Sequence, residues 1–473
     1  MPTKVIPLKN HNLGGIADSA YSGARDSFAE LVGFDIHSEP GILKVNQKLT
    51  KDSSTTIDDF VKAGVACSDG KTYLFGSTNG KIWSRTSEGT YALEATAAPA
   101  AGAVGILSAR EYQGYIYYAM QNRLGRWQVG TAWSTRSDNF ATFGNGDATY
   151  HPMREVNKVL FIGDVDDVAQ VDAGTFSASA LSLGAPNRIS ALGIANTNLL
   201  IGLFTGDNVI GCQLIQWNTW STHYTFTDPV PEVGINAFLP LDNYIVVSAG
   251  IKGNLYEYNG TNLVNQKTIP GIFNGTANQC KVYHEAILNF NGLPLFGLSQ
   301  TAGTPSALFG LYSFARRNSV YPFVLNMENP ISSNNFTSIE IGCIVGAGDT
   351  YLVAWKDTTS GTVYGVDKLD LSNKYNGAYF TTRYIMPSRS RDTNYPGAYV
   401  GYRTLPANTD IVISASLNGE AFGVVASVDD VQRTIKETTE ELGDTTKLQV
   451  KISTTASGNT APEIEEGGIL VNI

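Results

Sequence analysis

Between residues 68 and 86 the chain reads SDGKTYLFGSTNGKIWSRT, two short apolar runs either side of a glycine-containing turn. Looser versions follow. They are REYQGYIYYAMQNRLGRWQVG at 110–130, REVNKVLFIGDVDDVAQVDAGTF at 154–176 and IANTNLLIGLFTGDNVIGCQLIQW at 194–217. The series continues with PLDNYIVVSAGIKGNLYEYNGTNLV at 240–264, NFNGLPLFGLSQTAGTPSALFGLYSF at 289–314 and GAGDTYLVAWKDTTSGTVYGVDKLDL at 346–371. Each joins a polar or Gly/Asn turn to an apolar run of roughly four to six residues, then a loop, then a second run that usually carries an aromatic. Such runs predict strands. Asn-Gly pairs at 79, 145, 259, 274, 291, 376 and 418, and Asp-Gly at 69, predict tight hairpin turns, because type I′ turns need positive φ at both central residues. Helical patterning is sparse. DDVQRTIKETTEELGD at 429–444 is short and rich in β-branched Thr, and fits a helical turn or a charged hairpin tip.

The apolar runs recur at roughly 40–56 residues, the period of four-stranded propeller blades. A β-helix would repeat at a shorter period, and a sandwich seldom fills so long a stretch with one unit type. The expected fold class is therefore all-β: an irregular six- or seven-bladed β-propeller over 51–383. One blade cannot bury both faces alone, so the unit repeats until the ring closes and its edges disappear. From 384 the pattern changes. Alternation is strong in DIVISASL and KLQVKIST, which predicts a C-terminal β-sandwich over 384–473. Residues 1–50, including SFAELVGFDIHSEPGILKVNQKL, have no nearby hairpin partner. They predict an N-terminal extended arm that packs along the ring or onto a neighbour; a strand completing the last blade is a second reading, compatible with the first.

Composition agrees with this picture. Of 473 residues, 42% are hydrophobic and 16% charged, enough for a sizeable core and too few charges for disorder. The 48 glycines and 23 tyrosines suit a turn-rich β protein. Net charge is −10, and the nearest approaches to a basic run, Arg316-Arg317, Arg383 and Arg389-Arg391, are too small for a nucleic-acid face. Cys67, Cys212, Cys280 and Cys343 lack metal or redox spacing and read as buried thiols. The start, MPTKVIPLKN, has no apolar core of a leader, and no apolar run of about 18 residues predicts a membrane span.

Candidate chemistry is thin. STNGKIW loosely resembles the Asp-box turn of sialidases, but lacks its Asp and is one residue short. Asp164, Asp166, Asp167 and Asp172 could offer oxygen ligands to Ca²⁺, without EF-hand order. Trp217, Trp220 and Tyr224, beside His223, could form a stacking platform for a sugar or a structural cluster between blades. Glu232 has no evident acid partner for glycosidase chemistry. The five histidines never fall at metal spacing. These patterns supply no catalytic set, no metal and no cofactor, so the expectation is a protein that is not an enzyme.

The whole arrangement resembles the tail nozzle (tail hub) proteins of short-tailed bacteriophages. The residues that carry the resemblance are FAELVGFDIHSEPGILKVNQKL with its Pro40-Gly41 turn, and the C-terminal VGYRTLPANTDIVISASLNGEAF, KLQVKIST and APEIEEGGILVNI. The resemblance implies a virion protein made in the bacterial cytoplasm. Six copies would form a homohexameric ring below the portal and its adaptor protein, extend the DNA exit channel, gate genome release and carry tail fibres or tailspikes. DNA would pass without specific binding, past acidic loops that repel it. The long segments 96–106, 300–307 and 329–338 are candidate gate loops. The alternatives are a propeller module at a tail tip that recognises host-surface glycan, a glycan hydrolase, or a non-viral scaffold propeller.

Overall fold

A computed structural model describes residues 3–9, 14–21, 23, 26–39, 41–52, 57–87, 89–100, 102–205, 211–241, 244–269, 279–302, 309–316, 322–332, 338–386, 392–428, 435–437 and 441–472. Five consecutive antiparallel meanders of four strands come first. The first meander is Val61–Ala66, Thr72–Gly76, Lys81–Ser87 and Thr90–Thr96. The second is Ile106–Tyr112, Tyr115–Met120, Arg123–Gln128 and Ser137–Thr142. The third is Met153–Val156, Val159–Asp164, Asp167–Asp172 and Thr175–Ser182. The fourth is Arg188–Ala195, Asn198–Phe204, Leu214–Trp217 and Tyr224–Phe226, and the fifth is Ile235–Leu241, Tyr244–Ala249, Asn254–Tyr258 and Leu263–Thr268. Ile287–Phe290, Leu293–Ala302, Gly310–Ala315 and Val324–Pro330 then pair in succession, with Gln279–Lys281 also on Leu293–Ala302. A last meander, Ile339–Ala347, Thr350–Asp357 and Val363–Lys374, takes its fourth strand, Gln47–Lys51, from the N-terminal region, with Leu49 opposite Leu369.

The leading strands stand side by side around an axis. Val61–Ala66 packs against Ile106–Tyr112, and the contacts pass on through Met153–Val156, Arg188–Ala195, Ile235–Leu241 and Ile287–Phe290 to Ile339–Ala347, which returns to Val61–Ala66. Multiple four-stranded sheets arranged this way are consistent with a β-propeller. The burial gradient follows from stacking. Second strands such as Thr72–Gly76 are buried along their whole length between neighbouring sheets, so they read as continuous apolar runs. Outer strands such as Leu263–Thr268 are mostly exposed and polar.

Each pair of adjacent meanders shares an apolar cluster. Tyr73 and Phe75 of the first meet Tyr118 and Trp127 of the second, where Trp127 stacks on Trp133 at 4.2 Å between centroids. Trp83 and Leu74 of the first meet Cys343 and Leu352 of the last, which joins the two ends of the repeat. Close approach fixes some glycines. A Cβ on Gly125 would lie 2.1 Å from Tyr118 Cε2, so the buried ring needs the missing side chain.

The terminal region is assembled from more than residues 384–473. One sheet contains Thr3–Leu8, Phe34–Asp35, Leu43–Val45, Thr393–Tyr402, Ile435–Glu437, Gly443–Thr445 and Glu463–Asn472. The other runs Phe28–Val32, Tyr379–Thr382, Leu448–Thr455, Asp410–Leu417 and Gly423–Val428. That second sheet is continuous with the ring, because Val32 pairs in parallel with Met327 of Val324–Pro330. Phe28, Phe34, Phe380, Tyr395, Ile413 and Ile452 share one core with Phe296, Leu311 and Ile341 of the ring. The described parts of 1–50 pack along the ring and the terminal sheets, and Gln47–Lys51 completes the last meander. Thr3–Leu8 pairs with the C-terminal strand, while Phe28–Val32 on Tyr379–Thr382 and Gln47–Lys51 on Val363–Lys374 carry buried apolar positions that need a covering sheet. The described residues of 429–444 are extended, not helical: Ile435–Glu437 pairs with Tyr399–Gly401.

The turn code is partly as expected. Asn291-Gly292 and Asn418-Gly419 have φ of 52°/83° and 52°/86°; the first joins its paired strands directly, and the second opens the longer link between Asp410–Leu417 and Gly423–Val428. At 79, 145, 259 and 376 the glycine has positive φ and the Asn does not. Asn274 lies outside the described residues. Gln113-Gly114 and Ala173-Gly174 make equally tight turns without Asn.

Candidate functional site

The axis of the ring holds a cavity of about 370 Å³. Its wall comes from the leading strands, whose alternate residues face the axis. In Val61–Ala66 the odd positions Val61, Ala63 and Val65 are buried in the core, leaving Lys62, Gly64 and Ala66 on the axial side. Arg110, Glu111, Arg154, Glu285 and Asn289 line the cavity together with Gly64 and Gly346. Toward the other end of the axis lie Lys62, Tyr150, Lys281, Tyr283, Glu340 and Lys356. Lys281 Nζ donates to Tyr150 Oη at 2.9 Å and sits 5.2 Å from the Tyr283 ring centroid. Lys62 Nζ is 5.1 Å from the same centroid. Glu340 accepts from Tyr283 Oη and pairs with Lys356.

Between these groups, His284 Nε2 lies 4.0 Å from Glu285 Oε1, and the two side chains are 11% and 12% exposed. Burial, then Lys281, Lys62, Arg154 and His151, push the His284 imidazole down to about 3, so it is neutral at pH 7. Burial raises the Glu285 carboxyl against the pull of Arg110 and Arg154. Burial lowers Lys62 to about 8, with Lys281 adding to the effect and Glu340 opposing it. Arg154 falls to about 10 through burial and the neighbouring Arg110. The axis is therefore a cationic column with few compensating acids, inside a chain whose net charge is −10.

This column was not visible as a sequence run. Lys62, Arg110 and Arg154 sit one per repeat, in VKAGVA, ILSAREY and MREV, and meet only when the ring closes. A cation recurring in the leading strands was the available signal.

The structure places the sequence candidates elsewhere. Asp164 is buried and accepts from the backbone N–H groups of Asn145 and Gly146 at 2.9 and 2.8 Å, tying the third meander to the link before it. Asp166 and Asp167 both accept from Asn145 Nδ2, at 3.1 and 3.0 Å, and Asp172 is exposed at the far end of its strand. Among the described residues no group of three or more His, Cys, Asp or Glu is placed to hold a metal ion. Trp217 is buried against Phe161, with ring centroids 5.4 Å apart, and its Nε1 donates to Ser221 O. Trp220 is 77% exposed, and Tyr224 packs edge-on to Phe226. Trp217 therefore presents no face for a shared sugar platform with Trp220. Glu232 is buried and accepts from Asn254 and Tyr256. In the STNG turn, Asp59 accepts from the N–H groups of Thr78 and Asn79, both at 2.8 Å, so the carboxylate that organises the turn comes from outside it. Of the gate-loop candidates, 96–106 links the first two meanders, whereas 303–308 and 333–337 lie outside the described residues.

No protein-family model and no curated protein matches the chain. Solved structures that resemble it include virginiamycin B lyase from Staphylococcus aureus, with TM-score 0.47 and 14% identity over 68% of this chain and 98% of the lyase. The extracellular domain of a one component system from B. thetaiotaomicron gives TM-score 0.46 and 14% identity over 74% of this chain, which spans 43% of that domain. The N-terminal domain of Nup159 gives 0.40 and 10% over 69% and 96%. Likeness this loose says nothing about activity.

Proposed function

We propose that the chain is a structural protein of a bacteriophage tail: a seven-bladed propeller fused to a β-sandwich, acting as one rigid body. The count of seven rests on the seven leading strands that close around the axis. The observation that carries the scaffold reading is the unbroken sheet running from Leu293–Ala302 through Val324–Pro330 and Phe28–Val32 to Asp410–Leu417. Main-chain hydrogen bonds across that join transmit load between the two parts, which a tail component needs and a lone binding module does not.

On this reading six copies surround the DNA exit channel, beneath a portal adaptor, and carry fibres or spikes. The channel lies between copies. A cavity of about 370 Å³ along the propeller axis suits a small molecule, not a duplex. A net charge of −10 keeps passing DNA from sticking. The chain is not an enzyme on this reading, and its buried carboxylates serve as clamps: Asp52 on Arg85, Asp147 on Arg188, Asp59 and Asp164 on backbone N–H groups. A second reading, a tail-tip module for host glycan, is favoured by the exposed Trp220.

Negative-stain electron microscopy with mass photometry tests the choice. Six-fold rings with a central hole are expected on concentrating the protein. A compact trimer that binds a glycan array through Trp220 would replace the scaffold by the glycan reading.

A further inference from the structure

We propose that the axial cavity is a binding site for a small oxyanion carrying two or more negative charges. Arg110 and Arg154 line it together with Glu111 and Glu285. Lys62 and Lys281 stand next along the axis, close enough to act with Arg154 on His284, and the Glu340–Lys356 pair lies beyond them. Glu340 pairs with Lys356, so the two cancel, which leaves Lys62, Arg110, Arg154 and Lys281 against Glu285 and Glu111; Glu111 accepts from Ser68 and keeps its charge. Like charges brought this close repel one another, and burial removes the water that would screen them. A chain with an overall charge of −10 has acids to spare, yet leaves this column in cationic excess. A bound anion resolves both costs.

Two unpartnered polar atoms point the same way. Arg110 Nε and His284 Nε2 are buried and have no hydrogen-bond partner among the described residues; the first is a donor, and the neutral imidazole donates at Nε2 in one of its two tautomers. Buried polar groups are nearly always satisfied, so each marks a place where a partner belongs. Arg110 lines the cavity and can meet an oxyanion with a planar fork, the geometry that suits phosphate and carboxylate oxygens. His284 stands between the Arg110/Arg154 pair and the Lys62/Lys281 pair, close enough that Lys281, Lys62 and Arg154 all act on it. Size limits the ligand to a small molecule, because the cavity holds about 370 Å³. The multivalency follows from the number of cations. This inference does not depend on the scaffold reading, since a propeller of any role could carry the site.

The test is isothermal titration calorimetry of the full chain at low ionic strength, with pyrophosphate and citrate as separate probes. Saturable one-to-one binding of at least one probe is expected. Pyrophosphate alone assigns the site to phosphoryl groups, citrate alone to carboxylates, and both to oxyanions in general. R110Q and R154Q should each weaken binding at least tenfold, while K4Q, on an exposed strand at the terminal sheet, should leave it within twofold. Circular dichroism checks that each variant is folded. Should R110Q fail to fold, R154Q and the wild-type titration decide the matter. Absence of saturable binding by either probe, or equal affinity in folded R110Q or R154Q, would overturn the site.

Discussion

Glu328 sits where the ring meets the terminal sheets, and it shows how much a single buried carboxyl can govern. It is 5% exposed and accepts from Ser313, from Asn326 Nδ2 at 2.9 Å and from Asn46 Nδ2 at 2.6 Å. Burial raises it to about 7, with Asp35 adding to the rise and the three donors opposing it. Because its folded value is raised, the folded state holds a proton that the unfolded state has lost. The stabilisation is complete below about 4.5 and declines as pH rises toward 7. Relative to E328Q, wild-type stability should fall by about 2–3 kcal/mol between pH 5 and pH 8, read by urea unfolding. An unchanged difference would mean that Glu328 ionises freely. Asp52 and Asp147 work in the opposite sense. Burial raises them, but Arg85 and Arg188 and nearby N–H donors more than offset it, so their stabilisation is lost as pH falls.

At the scale of elements, the strand Gln47–Lys51 decides whether the last meander has four strands. Leu49 is 6% exposed and packs in the core shared by ring and terminal sheets. L49A should cost about 2–5 kcal/mol in urea unfolding. Replacement of Leu371 by Ala, 47% exposed in the paired strand Val363–Lys374, should stay within about 0.5 kcal/mol. Near-equal effects would mean that the N-terminal segment is a detachable arm. The interior strands were plain in the sequence because burial on both faces writes a continuous apolar run, as in YLF, YIYYAM and VLFIG. Leading and outer strands were fainter. The first carry isolated charges toward the axis, and the second are largely solvated.

For the molecule as a whole, one core cluster joins the fifth and later ring sheets to both terminal sheets, so ring and terminal region should unfold together. All six tryptophans, at 83, 127, 133, 217, 220 and 355, lie in the repeats, so their fluorescence reports the ring alone. Far-UV circular dichroism reports both parts. The two urea transitions should coincide. A dichroism change that precedes the fluorescence change would show the terminal sheets melting separately.

Local patterning alone determined the all-β character, the repeated hairpins and the change of texture near 384, because turn chemistry and strand alternation act between near neighbours. Tertiary structure alone decided the rest. Thr3–Leu8 meets Glu463–Asn472 across nearly the whole chain, and Phe28–Val32 bridges Met327 and Tyr379–Thr382. Lys62, Arg110 and Arg154 become one cationic column only when the ring closes. Such pairings depend on which distant surfaces cover one another, and a linear pattern records that a residue must be buried or charged without recording its partner.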